Sequence, residues 1–219
     1  MLENSIVFDI ETIPSQEQWV KDRVRENLKP PGTLKKEDSI AAWWNNESAQ
    51  ALQEAYEKTT FEGATNHIIS ICASFGGSED IYKWFVTDVS EEKGMIADFF
   101  ASIPVGCHIW AGHNILGFDL RVLKQRAMIL GVRLPSFFPW DPKPWDKTCY
   151  DTMLKWGNGR DFVSADLLAK AFGIQGKGSV DGSQVWPMFQ DGKYQEIADY
   201  CADDVRMTLE IYKRMIFAV

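Results

Sequence analysis

Ile6-Val7-Phe8-Asp9-Ile10-Glu11-Thr12 is the stretch on which the fold turns. Where it is not acidic it is β-branched or aromatic, the composition of a strand set into a core. Side chains alternate between the two faces of a strand, so Asp9 and Glu11 project together while Phe8 and Ile10 project the other way. Two carboxylates about 6–7 Å apart on one face of an apolar strand repel each other and resist desolvation unless something neutralises them. A hard divalent cation does so, because Mg²⁺ takes oxygen ligands and needs only one or two protein carboxylates. The competing reading of this stretch is a strand end with two solvated acids.

Working outward, 219 residues with 45% hydrophobic and 13% aromatic content suit one domain, 1–219, and exclude a chain disordered throughout. The formal charge of −8 excludes a basic coat for nucleic acid. It does not exclude an enzyme acting on one, since bound metal inverts the local charge of a carboxylate cluster. Cys72, Cys107, Cys149 and Cys201 form no CxxC pair. They read as core residues of a reducing compartment rather than a zinc site or a disulfide framework. No apolar run has the length of a membrane span, and Met1-Leu2-Glu3-Asn4 lacks the regions of a signal peptide. A cytoplasmic protein without membrane association is expected.

After the first strand, Ser15-Gln16-Glu17-Gln18 has the form of a capping box opening a helix to about Leu28, stopped by Pro30-Pro31-Gly32. A second helical stretch from about Glu37 to Tyr56 follows, carrying Trp43-Trp44, so residues 14–66 form a helical insertion. His67–Phe75 reads as a strand, Gly76-Gly77-Ser78 as a turn and Ile81–Val86 as its hairpin partner. Helices are expected at 90–102, 115–130, 164–173 (Ser164 cap, Gly173 stop) and 194–217, with strands at 106–111 and 148–151. Gly173 to Gly182 reads as glycine-rich and flexible. The sum is an α/β sheet of mixed strand direction, its first three strands a meander.

Two further acids fall on apolar arcs. In the helix expected from Ile115, Asp119 lies among Ile115, Phe118, Val122, Leu123 and Ile129, where an acid must be paired or metal-bound. Arg126 shares that arc and is the competing partner. In the last helix, at about 100° per residue, Asp204 lies about 20° from the direction of Ile197, Cys201, Val205, Thr208 and Tyr212. Asp203 lies about 120° away, beside Arg206 and Glu210. Asp204 therefore faces the sheet and Asp203 faces water. Tyr200, one turn before Asp204, reaches whatever Asp204 binds.

Phe8-Asp9-Ile10-Glu11-Thr12, Asn114 through Phe118-Asp119, and Tyr200-Cys201-Ala202-Asp203-Asp204 resemble, in order, the three motifs of the DEDD 3′–5′ exonucleases. Tyr-x-x-x-Asp marks the tyrosine subgroup; the histidine subgroup would need His where Asp199 stands. The chain is similar to the proofreading exonuclease domain of family B DNA polymerases, and the insertion at 14–66 has no counterpart there. The resemblance implies a ribonuclease-H-like fold, a mixed five-stranded sheet flanked by helices, with the helical insertion after the first strand. It implies two ions, Mg²⁺ or Mn²⁺, about 3.5–4 Å apart. Asp9 would bridge both, Glu11 and Asp204 would hold the ion carrying the attacking water, and Asp119 would serve the other. Tyr200 would orient the water, since a phenol near pKa 10 is a poor base at neutral pH. Thr12 and Asn114 match positions that touch the terminal nucleotide, and Phe118 would pack on its base or sugar. His113 is a structural or substrate-contact residue. Asp151 either caps a helix or supports the metal ligands, the second being the favoured reading.

The expectation that follows is a metal-dependent phosphodiesterase releasing nucleoside monophosphates from the 3′ end of single-stranded DNA. RNA is the alternative substrate, because the contact to a 2′-hydroxyl is not legible in the sequence. A binding or docking module of the same fold without activity is the rival from another class. The Trp43-Trp44 helix would then serve a replication or repair partner. The loop from Phe137 to Arg160, with Trp140, Trp145 and Trp156, is read as either base-stacking or core-sealing. A transferase would want a phosphate-binding loop that the chain does not show.

Overall fold

A computed structural model describes residues 1–176 and 181–218. Part of the glycine-rich stretch expected at 173–182 falls on 177–180, outside the described residues. The chain begins with strand β1 (Ser5–Ile13), followed by helices α1 (Gln18–Asn27), α2 (Glu37–Asn46) and α3 (Ser48–Glu57) and a 3₁₀ turn, Lys58–Phe61. Strands β2 (His67–Phe75) and β3 (Tyr82–Phe85) come next, then α4 (Glu92–Ser102), β4 (Ile109–Gly112), α5 (Asp119–Leu130) and β5 (Cys149–Asp151). Four helices complete it: α6 (Thr152–Gly157), α7 (Ala165–Phe172), α8 (Val185–Gln190) and α9 (Tyr194–Met215).

The sheet has five strands in the order β3-β2-β1-β4-β5. β1 pairs antiparallel with β2, and β2 with β3, the expected meander; β4 and β5 run parallel to β1. This is the mixed, ribonuclease-H-like arrangement, and it puts β1 in the centre. Phe8 and Ile10 face one side and pack with Phe99, Trp110 and Leu123 from α4, β4 and α5. Val7 faces the other, against Cys201, Val205, Leu209 and Tyr212 of α9.

Four local expectations are corrected or refined. Ser15 does not cap α1: Glu17 stands at the N-cap without a side-chain bond, and Ser15 is buried. Its hydroxyl accepts the Glu17 N–H at 3.2 Å, a local turn ahead of the helix, while its N–H donates to Thr59 Oγ1 and its carbonyl accepts from the Tyr56 hydroxyl at 2.7 Å. The helical stretch expected over 37–56 comprises two helices that meet at Glu47, and the Ser48 hydroxyl donates to the Trp44 carbonyl across the break. The third strand and β4 are shorter than expected, β4 starting at Ile109 after Gly106 turns the chain at φ 99°. The helix expected from Ile115 starts at Asp119.

That shorter helix changes the account of Arg126. Its guanidinium is not spent on Asp119: Nε and Nη2 donate to Glu92 of α4 at 2.8 and 2.6 Å. Glu92 is fully buried and also accepts from the Ile68 N–H and contacts His67 Nδ1 at 3.0 Å. Burial opposes its charge, but His67 and Arg126 more than offset that, leaving the carboxyl below its usual range. The cluster ties α4 and α5 to the start of β2.

The aromatic loop before β5 fills the core-sealing role in part. Phe138 is buried and Phe137 stacks on Trp110, sealing the core, while Trp140 and Trp145 are exposed. This loop enters β5 at its start.

Candidate active site

The site lies past the opposite ends of β4 and β5. At Gly112, the last residue of β4, a Cβ would stand 3.0 Å from the Phe8 carbonyl oxygen and 2.1 Å from Ile115 Cγ2. Only glycine lets the following turn pass this close over β1. Asn114 then takes the left-handed conformation, φ 59°. Asp151 holds the turn: its carboxylate accepts the N–H groups of Asn114 and Leu116, both at 3.1 Å. It also accepts from Leu154 at 3.2 Å, capping α6. Asp151 is thus a cap and a brace for the turn. The helix cap offered as one reading of it is seen, and its support reaches Asp119 through the backbone of the turn.

The braced turn delivers Asp119 as the first residue of α5. The side chain is buried, and Oδ1 accepts the backbone N–H of Ile10 at 3.2 Å, between the two acids of β1. From the other side of the sheet comes α9. Ile197, Cys201, Val205, Thr208 and Tyr212 are buried along it, so its amphipathic phase turns Tyr200 and Asp204 to β1. The Tyr200 hydroxyl hydrogen-bonds Asp204, one turn on. The Cys201 thiol lies 3.5 Å from the Asp9 carbonyl oxygen and 3.6 Å from Asp9 Oδ2. Asp203 is exposed and ion-paired with Arg206 on the outer face.

Asp9, Glu11, Asp119, Tyr200 and Asp204 line one cavity of about 360 Å³, together with Asn114, Phe118, His113 and Phe61. No Lys or Arg is among the described residues lining it. Burial, then the charges of Asp119, Glu11 and Asp204, pushes the Asp9 carboxyl well above its usual range. Burial raises the Asp119 carboxyl to about 7, with Asp151 and Asp204 adding to the rise and the Ile10 N–H opposing it. Burial followed by Glu11 and Asp204 pushes the Tyr200 phenol far up. Like charges converging without a lysine or arginine form a hard-oxygen donor set, and they fit divalent cations of the Mg²⁺ class. Donor atoms of Asp9, Glu11 and Cys201 lie within 4.8 Å of one another.

The other candidates stand as follows. His113 is engaged at both ring nitrogens, by Thr152 Oγ1 and the Val163 carbonyl, each at 2.9 Å, so its ring is held structurally at the cavity wall. Thr12 lies outside this cavity in an adjoining groove, its hydroxyl 2.9 Å from the Thr60 carbonyl and 3.0 Å from Thr60 Oγ1. Trp140 and Trp145 precede β5, whereas the cavity follows it. Sequence reasoning missed Phe61 and Cys201. Phe61 carries no periodic signal in Thr59-Thr60-Phe61-Glu62, and Cys201 reads simply as core.

A family model described as a predicted 3′–5′ exonuclease related to the exonuclease domain of PolB matches residues 59–218. The match spans Asn114, Asp119, Tyr200 and Asp204; Asp9 and Glu11 precede it. No curated protein matches the chain. Among solved structures, the family B DNA polymerase of the hyperthermophilic archaeon Pyrobaculum calidifontis is similar in fold, with a TM-score of 0.56 and 16% identity. The similarity covers 97% of this chain and 24% of the polymerase, so the chain spans about a quarter of that protein's length.

Proposed function

The chain belongs to the family of predicted 3′–5′ exonucleases related to the exonuclease domain of PolB, and from that premise we propose that it is a metal-dependent 3′–5′ exonuclease of single-stranded DNA. The observation that carries this is the convergence of Asp9, Glu11, Asp119 and Asp204, from β1, α5 and α9, on a cavity with no Lys or Arg among its described lining residues. These four carboxylates would hold two divalent ions, Mg²⁺ or Mn²⁺, which when bound supply a nucleophilic water and Lewis acidity for in-line phosphodiester hydrolysis.

The chain's own residues do the rest. Burial and neighbouring acids keep Tyr200 protonated, so its hydroxyl is a donor that orients oxygen ligands near Asp204 and not a base. The Ile10 N–H fixes the Asp119 carboxylate and relieves part of the repulsion. Asn114 and Phe118, at the cavity wall, and Thr12, in the adjoining groove, contact the terminal nucleotide. DNA is preferred to RNA on the likeness to a DNA polymerase domain.

The test is a gel assay of 5′-labelled single-stranded DNA and its RNA counterpart with Mg²⁺, Mn²⁺ or EDTA. A ladder shortening from the 3′ end of DNA is expected with metal and not with EDTA. Asp9→Ala should reduce it roughly 10³-fold or more, and Asp203→Ala should leave it unchanged. Retained binding with no shortening of either strand would turn the reading to a docking module; faster trimming of RNA would change the substrate.

A further inference from the structure

Asp119 accepts the Ile10 N–H and Asp204 the Tyr200 hydroxyl, donors that belong to the cavity wall. Asp9 is approached from behind. The Cys201 thiol of α9 lies 3.6 Å from Asp9 Oδ2 and 3.5 Å from the Asp9 main-chain carbonyl oxygen, distances ordinary for a hydrogen bond from the larger sulfur atom. Cys201 is not among the described residues that line the cavity, so its sulfur is placed to hold the carboxylate and not to meet what the cavity binds. Cys72 stands opposite Asp9 in the β1–β2 register. Its thiol hydrogen-bonds Cys201 and donates to the Ala198 carbonyl at 3.4 Å, a turn before Cys201 on α9. Both thiols are fully buried between the sheet and α9, among Val7, Ala202 and Val205.

An aspartate side chain chooses among a few staggered rotamers, and one set among like charges is driven towards those that turn away from them. We propose that Cys201 is a positioning residue for the metal centre: its thiol donates to Asp9 Oδ2 and fixes the rotamer in which that carboxylate faces the cavity, with Cys72 fixing the thiol in turn. The proposal rests on the exonuclease reading above, in which Asp9 is one of the metal ligands. Sulfur suits the task. A thiol is a weak donor, so it aims the oxygen without competing with a cation for its lone pairs as an ammonium or guanidinium would. Cysteine also packs as a small hydrophobe, so the donor sits in an apolar layer with little desolvation cost. The helix that brings Asp204 and the Tyr200 hydroxyl to β1 thereby brings the group that aims Asp9 as well.

The test measures Mn²⁺ affinity by electron paramagnetic resonance on the full chain, without nucleic acid. Cys201→Ala removes the donor and leaves a cavity; Cys201→Val fills the space without a donor; Cys201→Ser keeps a donor. Losing a group that orients a metal ligand weakens metal binding roughly 10–100-fold, and both Cys201→Ala and Cys201→Val should fall in that range, while Cys201→Ser should recover most of the loss. Cys201→Val binding like wild type, or Cys201→Ser binding as weakly as Cys201→Val, overturns the proposal. Because substitutions buried this deeply can prevent folding, the S–H stretching band of wild type is also followed by infrared as Mg²⁺ replaces EDTA. The band should shift when the carboxylate that accepts the proton becomes a metal ligand; an unmoved band, the result for a thiol bonded to the main-chain carbonyl instead, overturns the proposal too. Strand shortening by wild type is scored separately. Mn²⁺ binding that depends on the donor, without shortening, keeps the role of Cys201 and removes the exonuclease; shortening by a protein whose Mn²⁺ affinity ignores Cys201 does the reverse. A wild type that binds no Mn²⁺ removes both.

Discussion

Tyr200 shows how far environment moves a single group. A free phenol loses its proton near pH 10; here burial and two acids hold the proton well beyond that. If the hydroxyl orients ligands, Tyr200→Phe should lower kcat by roughly 10²-fold, the scale of one preorganised hydrogen bond, with KM little changed. Wild type should show no loss of rate up to pH 10 attributable to a phenolate; a steady-state pH series on both proteins checks this. At this scale the sequence was informative where geometry is local. The helical phase separates Asp204 from Asp203, seen in the Arg206 pairing and exposure of the latter. It left Arg126 as the competing partner of Asp119, and that competing reading fails because Glu92, 34 residues away on another helix, takes the guanidinium. It also hid Phe61, whose contacts are made across the fold, and of Asp151 it offered the helix cap but not the brace on the 114–118 turn.

Elements follow the same division. The nine-residue β2, the Ser164 cap of α7 and the Gly173 stop are where the sequence puts them, since each is decided by residues in or beside the element. The break at Glu47 and the late start of α5 are not, because side chains and packing from elsewhere compete with helix periodicity. Asp151 is the clearest case: from across the fold it accepts two N–H groups of the 114–118 turn and so fixes the turn that precedes α5. The Arg126–Glu92–His67 cluster is the corresponding joint between α4, α5 and β2. Arg126→Met strands a buried carboxylate and should cost about 3–5 kcal/mol in urea unfolding. Glu92→Met added to it should recover part of that loss, as no charge then remains to be paired.

For the molecule as a whole, the carboxylate cavity links pH, metal and stability. Asp9 and Asp119 keep their protons in the fold to a higher pH than in the unfolded chain. Between the ordinary carboxylate range near pH 4 and about 7 for Asp119, the fold binds more protons, so their contribution to stability falls as pH rises. In EDTA, Asp119→Asn should therefore gain stability relative to wild type as pH rises from 5.5 to 8. Mn²⁺ at one fixed concentration, about 100 times its Kd at pH 8, should add roughly 2.7 kcal/mol there, or about 5–10 °C, and less at pH 5.5. Scanning calorimetry at both pH values, with and without the ion, decides it; an equal increment at both would remove the link to these carboxyls.

The contact between Cys201 and Asp9 joins residues 192 positions apart, and that distance sets a timetable. A ribosome releases Asp9 and Glu11 early and Asp119 midway, but Tyr200 and Asp204 only with α9. Until that helix docks across β1, the nascent chain has three of its four acids and no assembled centre. On the proposed function, a centre that needs α9 cannot act on nucleic acid before that helix has been made and has docked, and a chain clipped before α9 should show no cleavage in the gel assay.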